Sequence, residues 1–166
     1  MSDDTSRTTD TIQQAIKNLY NSDPGREWQR SERHRTEFAV TKRALAEYLP
    51  ATPAHILDCG GGPGHYAIHL ARNGYHVTLF DLSEKLLAMA RDKTSEAGVE
   101  LVDFAQGSAV DLSRFDDEVF DAVLLMGPLY HLLDEGSHRQ VLQEAYRVAK
   151  PGAPVFIAFI GRYAGH

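Results

Sequence analysis

The stretch ILDCGGGPGHYA, residues 56–67, is the most informative segment of the chain. An apolar, strand-like segment reaches Asp58, passes through Gly60, Gly62 and Gly64, and enters a helical pattern at once. Glycines at such a turn permit positive φ and let a ligand lie against bare backbone. The helix start beyond them presents unpaired N–H groups to an anionic group such as a carboxylate. Pro63 fits near that start, where a missing N–H costs little. The spacing is G-x-G-x-G rather than the G-x-G-x-x-G dinucleotide fingerprint, because His65 and Tyr66 follow Gly64.

Working outward, Asp81 ends the next strand-like run, YHVTLF at residues 75–80. In a doubly wound sheet that carboxylate emerges at the ligand crevice, where it can accept both hydroxyls of a ribose. Its plainer use would be to cap the next helix, a post that Ser83 can fill. Further strands are expected at 55–59, 99–105, 119–126 and 154–160, and helices at 63–73, 83–97 and 135–150. Gly74 and Gly98 stand where helices end. Several strands are continuous apolar runs, as in a parallel sheet covered on both faces. The alternation predicts right-handed βαβ units in a Rossmann-like, doubly wound α/β sheet of about five strands. Only the 107–118 connection lacks a helical pattern.

Ahead of the sheet, Ile12, Ala15, Ile16 and Leu19 form an apolar stripe on a helix over 11–20. Residues 21–25 (NSDPG) break it, and Trp28, Phe38, Thr41, Leu45, Tyr48 and Leu49 predict a second helix over 27–49 that Pro50 and Pro53 stop. The expected organisation is a disordered lead at 1–10, a helical cap at 11–53 and the sheet domain at 54–166.

Composition agrees with one globular domain: 166 residues, 43% hydrophobic and 24% charged. The net charge of −6 argues against capture of a nucleic-acid backbone. The basic run REWQRSERHR at 26–35 carries Glu27 and Glu32 and reads as a solvated helix face. No stretch approaches the roughly 18–20 apolar residues of a membrane helix, and MSDDTSRTTD at the N-terminus has no apolar signal segment. A single cysteine, Cys59, excludes an internal disulfide and fits a reducing, cytoplasmic setting; it reads as a small buried thiol. His65 and His69 share a helix face at i, i+4, but no third ligand accompanies them, so no metal is expected.

The segments ILDCGGGPGHYAIHLARNGYHVTLFDLS (56–83), FDAVLLMGPLYHL (120–132) and EAYRVAKPGAPVFI (144–157) resemble, in order, the motifs of class I S-adenosylmethionine-dependent methyltransferases. The resemblance covers about residues 54–160, and the helix around Glu27 and Trp28 together with GPLYHL resembles a small-molecule branch in which N-terminal helices cap the cofactor. It implies that Asp58 lies near the methionine amino group through water or backbone, that Gly60, Gly62 and Gly64 line the methionine and ribose, that Asp81 holds the ribose and that Leu82 packs on the adenine. Gly127 would meet the methionine end. Where the family often has an Asp for the adenine amino group, AQGSAVDL (105–112) has Ser108; Ala109 offers backbone contact, and Asp111 is a weaker substitute.

Methyl transfer from a sulfonium needs mainly positioning and exclusion of water. Tyr130 and His131 follow the fourth strand, and a histidine there could take a proton from a hydroxyl acceptor; the alternative is that they contact cofactor and backbone. His65 and Tyr66 have the same two readings. Tyr20, Trp28 and Arg30 could form a lid, an aromatic face favouring a cationic sulfonium, although core packing is the default for Trp28.

The family usually has seven strands, whereas this sequence ends at GRYAGH after the fifth. That leaves a fragment, a short form completed by a homodimer through the fifth-strand edge, or a cofactor-binding remnant without turnover. The leading expectation is methyl transfer to O, N or C of a small-molecule acceptor, with no nucleic-acid or membrane partner. A non-catalytic S-adenosylmethionine-binding or interaction module is its rival, and a nicotinamide-dependent oxidoreductase is disfavoured by the glycine spacing.

Overall fold

β1 (His55–Cys59), β2 (His76–Asp81), β3 (Asp103–Gln106), β4 (Ala122–Leu125) and β5 (Val155–Ile157) form one sheet in the computed structural model, which describes residues 2–30, 34–132 and 134–159. The strand order is β3-β2-β1-β4-β5, and every pairing is parallel. The order reverses beside β1, so the crevice at a doubly wound sheet's switch point opens beyond the carboxyl ends of β1 and β4. The helices are α1 (Ser2–Ser22), α2 (Pro24–Trp28), α3 (Arg35–Tyr48), α4 (His65–Arg72), α5 (Glu84–Ala97) and α6 (Glu135–Val148), with a 3-10 turn at Pro128–His131.

Because successive strand residues point to opposite faces, β1 divides its apolar residues between two cores. Leu57 and Cys59 join Val123 and Leu125 of β4 against Val141, Ala145 and Val148 of α6. Ile56 joins Val77, Leu79 and Leu124 against Leu45 of α3, Leu70 of α4 and Ala90 of α5. Both faces of the centre are thereby covered, which is why these strands read as unbroken apolar runs. Ser83 caps α5 by accepting the Leu86 N–H at 3.1 Å. Gly98 ends α5 in the left-handed region, and Gly74 follows α4 at φ 87°.

Several expected boundaries move. The expected lead at 2–10 is helical, because α1 starts at Ser2: no glycine or proline interrupts residues 2–22, and adding turns to an existing helix is cheap. The stripe on α1 is also rotated. Leu19 is 60% exposed, and Gln13, Ile16 and Tyr20 face the interior cavity instead. Residues 27–49 are not one helix. α2 begins at Pro24, its N-cap Asp23 accepting the Arg26 N–H, and ends at a Gln29 cap, while α3 begins after His34, whose φ of −118° and ψ of 47° are not helical.

The sheet ladders are shorter than the apolar runs. In the fourth run, Phe120 bridges to Ala149 rather than pairing within the strand. The 107–118 connection has no helix. Arg147 of α6 holds it by donating to the Leu112 and Phe115 carbonyls at 2.9 Å each.

Candidate functional site

The glycine turn is built for backbone that no other residue would fill comfortably. Gly60, Gly62 and Gly64 have φ of 74°, 55° and 88°, in the left-handed region that favours glycine. A Cβ on Gly60 would lie 2.7 Å from the Pro128 ring, and one on Gly61 would lie 2.2 Å from Leu79 and 2.6 Å from the Asp58 carboxyl carbon. The turn after β1 is thus pressed between the turn after β4 and the floor of the sheet. Gly60 is tied down by its N–H, which donates to the Phe80 carbonyl at 2.7 Å.

Above this turn lies a cavity of about 550 Å³, roofed by α1, α2 and α3. That size suits a small-molecule ligand, for which sites run about 300–1,000 Å³. Gly60, Gly62, Asp81, Leu82, Ser108 and Ala109 line it. So do Gly127, Tyr130 and His131 from β4 and its turn, Tyr20 and Arg30 from the cap, and His65 and Tyr66 from α4. The fold therefore gathers residues from six separate chain segments around one space.

Asp81 is the pivot of that space. Its Oδ2 accepts the Gly62 N–H and its Oδ1 the Ser83 N–H, both at 2.8 Å. With the Leu82 N–H as a weaker third donor, the carboxylate's roughly four acceptor sites are not all filled, and a vicinal diol is a ligand that can use what remains. Burial pushes its carboxyl up to about 6, against the opposing pull of those N–H groups. Ser108 and Ala109 sit beside it on a loop where Gly107 is obligatory, since a Cβ there would lie 2.4 Å from the Phe80 ring. Bare glycine backbone beside a two-toothed acceptor is the chemistry that S-adenosylmethionine, with its amino-acid end and ribose diol, would need.

Four residues singled out in the sequence stand outside the cavity lining. Asp58 does not line the cavity; it is fully buried beneath Gly61. Neither of its oxygens has a hydrogen-bond partner among the described residues, and burial, then the charge of Asp81, push it up to about 7. Gly64 does not line it either, because it is the N-cap of α4 and its open Cβ position faces Ala90 of α5 at 3.4 Å. Trp28 turns away to stack on His65, with centroids 4.2 Å apart. Asp111 is exposed and accepts the Ser113 N–H at 3.0 Å, so it is a turn residue.

The stack fixes the state of His65. Its Nε2–H donates to the Trp28 carbonyl at 2.8 Å, and burial holds the imidazole below its usual range. Tyr66 packs on Phe38 of α3 with centroids 5.0 Å apart. Cys59 is a buried thiol that burial pushes well above its ordinary value, hence unreactive. Among the described residues no group of three or more His, Cys, Asp or Glu could hold a metal ion.

The cap is hydrogen-bonded into the crevice at two points. Tyr20 Oη pairs with His131 Nε2, and Arg30 donates to Tyr130 Oη at 3.0 Å. Burial and the Arg30 charge hold His131 below the usual imidazole range. The sequence reading missed Glu27 and Glu37, which line the cavity and flank Arg30 at 4.0 and 3.4 Å. Glu27 lies in the 26–35 run, which reads as a solvated helix face, and Glu37 lies beyond it, seven residues from Arg30. The crevice can therefore bind a neutral or cationic ligand against apolar walls, with a neutral imidazole and a phenol at its edge.

The family model for the methyltransferase domain matches residues 56–152. The chain is 38% identical over 107 residues to the ubiquinone biosynthesis O-methyltransferase of Hahella chejuensis, covering 64% of this chain and 43% of that one. It is 32% identical over 118 residues to the protein of the same name from Xylella fastidiosa, covering 71% and 46%. The chain thus spans less than half the length of these relatives. Among solved structures, the PH0226 protein of Pyrococcus horikoshii is similar at a TM-score of 0.65 and 27% identity, covering 72% of this chain and 55% of that one. The [4+2]-cyclase SpnF is similar at 0.62 and 26%, covering 70% and 43%.

Proposed function

The chain belongs to the methyltransferase-domain family, and from that premise we propose that it transfers a methyl group from S-adenosylmethionine to O, N or C of a small molecule. The observation that carries this reading is Asp81, held at the cavity wall by the Gly62 and Ser83 N–H groups with its acceptor sites not all filled. An oxygen acceptor is favoured within it. The relatives carry the name O-methyltransferase, and a neutral His131 beside the cavity suits removal of a hydroxyl proton.

In this reading Asp81 accepts the ribose hydroxyls, while Gly60, Gly62 and Gly127 give the methionine end bare backbone. Leu82 offers an apolar edge to the adenine, and Ser108 and Ala109 bound it from the third strand's loop. Tyr130 and His131 stand at the reacting end, and Tyr20, Arg30, His65 and Tyr66 close the roof. Asp58 acts from beneath, as a buried carboxyl packed under the turn. The bound cofactor supplies an electrophilic methyl on a sulfonium, so the protein's task is alignment and exclusion of water.

Glu27, Glu37 and Asp81 outnumber Arg30 around the cavity, a balance that supports a small neutral or cationic acceptor over a nucleic acid. No described helix is long and apolar enough to cross a membrane; a cytoplasmic location is part of the proposal. So is self-association through β5, an edge strand of the described sheet whose end exposes Ile157 and Phe159. The division into a helical cap and a sheet domain joins at the crevice.

Calorimetric titration of S-adenosylhomocysteine into this chain tests the reading. Saturable binding that collapses in Asp81→Ala is expected. Heat with NADH but none with S-adenosylhomocysteine would overturn it. The likeness to SpnF carries the second reading, a site that is used for other chemistry, since one fold hosts several reactions; binding without methylation of any acceptor in a screen of small phenols, amines and carbon acids would favour it.

A further inference from the structure

Tyr20 and His131 lie 111 positions apart and meet at the roof of the cavity. Tyr20 belongs to the end of α1, and His131 to the 3-10 turn after β4. Their rings cross edge to face with centroids 5.3 Å apart, and both residues line the cavity.

The contact is anchored by the next residue. Asn21 Oδ1 accepts the Ser83 hydroxyl at 2.6 Å, and Ser83 is the residue whose N–H donates to Asp81. A hydrogen-bonded path therefore runs from Asp81 through Ser83 and Asn21 to the α1 terminus, one residue from Tyr20. Docking of α1 at the acid of the proposed cofactor site and pairing of Tyr20 with His131 are the same event.

We propose that Tyr20 and His131 form a proton-handling pair assembled by this docking, in which Tyr20 Oη receives the proton of an acceptor hydroxyl and passes its own to His131 Nε2. The inference rests on the methyl-transfer reading with an oxygen acceptor. The acceptor O–H bond breaks and its proton joins Tyr20 Oη. The original Tyr20 proton joins His131 Nε2. The acceptor is left as an oxyanion, the imidazole as an imidazolium, and Tyr20 neutral as it began, so one proton has moved and no co-reactant is needed. Imidazole Nε2 alone is not free to do this, because the phenol already occupies it.

The surroundings agree with that direction. Tyr20 is desolvated, and Tyr130, Glu27 and Asp81 all disfavour its phenolate against the single opposing charge of Arg30. It stays a phenol at rest and is suited to passing a proton on rather than losing one. Burial first, and then the Arg30 charge, keep the His131 imidazole neutral, so its Nε2 lone pair can accept from the Tyr20 phenol. Arg30 also donates to Tyr130 Oη, which holds the neighbouring phenol against the cap.

Nitrogen-15 spectra of the His131 ring in the full chain test this, with and without S-adenosylhomocysteine. The parent should show an unprotonated, hydrogen-bonded Nε2 and a protonated Nδ1 at pH 7. Tyr20→Phe should remove that signature, and Asn21→Ala should weaken it although Asn21 touches neither ring. The carbon-13 signal of Tyr20 Cζ should move in His131→Phe, which reads the same bond from the other side. A parent whose Nε2 carries the proton would overturn the proposal, as would a signature unchanged in Tyr20→Phe. The methyl-transfer reading fails differently: S-adenosylhomocysteine would not bind a parent whose Tyr20–His131 signature is intact.

Discussion

The Gly62 N–H donates to Asp81 Oδ2 at 2.8 Å, joining the turn after β1 to the last residue of β2. The bond closes a frame. β1 and β2 pair in register up to Cys59 and Phe80, and the first residues beyond that ladder are then fixed to each other rather than splayed. The carboxylate is consequently aimed before any ligand arrives, which reduces the ordering that binding must cost.

Asp81→Ala should weaken S-adenosylhomocysteine binding by about 1.5–3 kcal/mol, the scale for hydrogen bonds to a charged group, or roughly 10- to 150-fold. Asp81→Asn should lose nearly as much, because an amide presents a donor to one of the two N–H groups that the carboxylate accepts. Calorimetry on both variants checks this; equal affinity in Asp81→Asn would show that charge and acceptor pattern are dispensable.

Asp58 makes stability depend on pH. Its folded carboxyl is pushed up to about 7 and that of Asp81 to about 6, both well above the ordinary carboxylate range of about 4. The native chain therefore holds more protons than the unfolded chain across that range. The contribution is complete below about pH 4 and is lost as pH rises through 6 and 7. Histidines 55, 65, 69 and 131 are lowered by burial and slope the opposite way as pH falls below about 6.5. Asp58→Asn isolates the term: its urea midpoint should gain on the parent between pH 5 and pH 8, and a constant difference would remove Asp58 as the cause.

Gly61→Ala should destabilise by about 1–3 kcal/mol through overpacking, because the added carbon meets Leu79 and the Asp58 carboxyl at once. Gly98→Ala adds a carbon that meets nothing within 4 Å and carries only the strain of a φ of 65°. Urea midpoints should rank Gly61→Ala as the worse of the two.

Arg147→Ala should free the 111–118 connection. The side chain donates to two carbonyls of that loop and pairs with Asp117 at 2.7 Å and Glu144 at 2.9 Å. A loss of about 1–3 kcal/mol is expected, with faster amide exchange at Leu112 and Phe115 and little change in β1 and β2.

Trp28 is the only tryptophan, so its fluorescence reports the seating of α2 on α4. His65→Ala removes the ring stacked on it and the donor to its carbonyl. Emission should shift to the red as water reaches the indole, and unchanged emission would place the hold on α2 elsewhere.

The parallel sheet, the turn at Gly60–Gly62 and the place of Asp81 at its crevice are legible in the residues alone, because they follow from apolar runs, glycine backbone freedom and one strand's length, all local quantities. So are Ser83 as a cap and Gly98 as a stop. Packing, by contrast, breaks the 27–49 pattern between α2 and α3, gives Gly64 to helix packing, seals Asp58 beneath Gly61, and sets Glu27 and Glu37 at the cavity beside Arg30. The meetings of Tyr20 with His131 and of Arg30 with Tyr130 belong to the same class. A side-chain period says which face of a helix is apolar, but not the angle at which that helix crosses a sheet. That angle is set by packing across the whole cap, and it alone brings together groups a hundred residues apart.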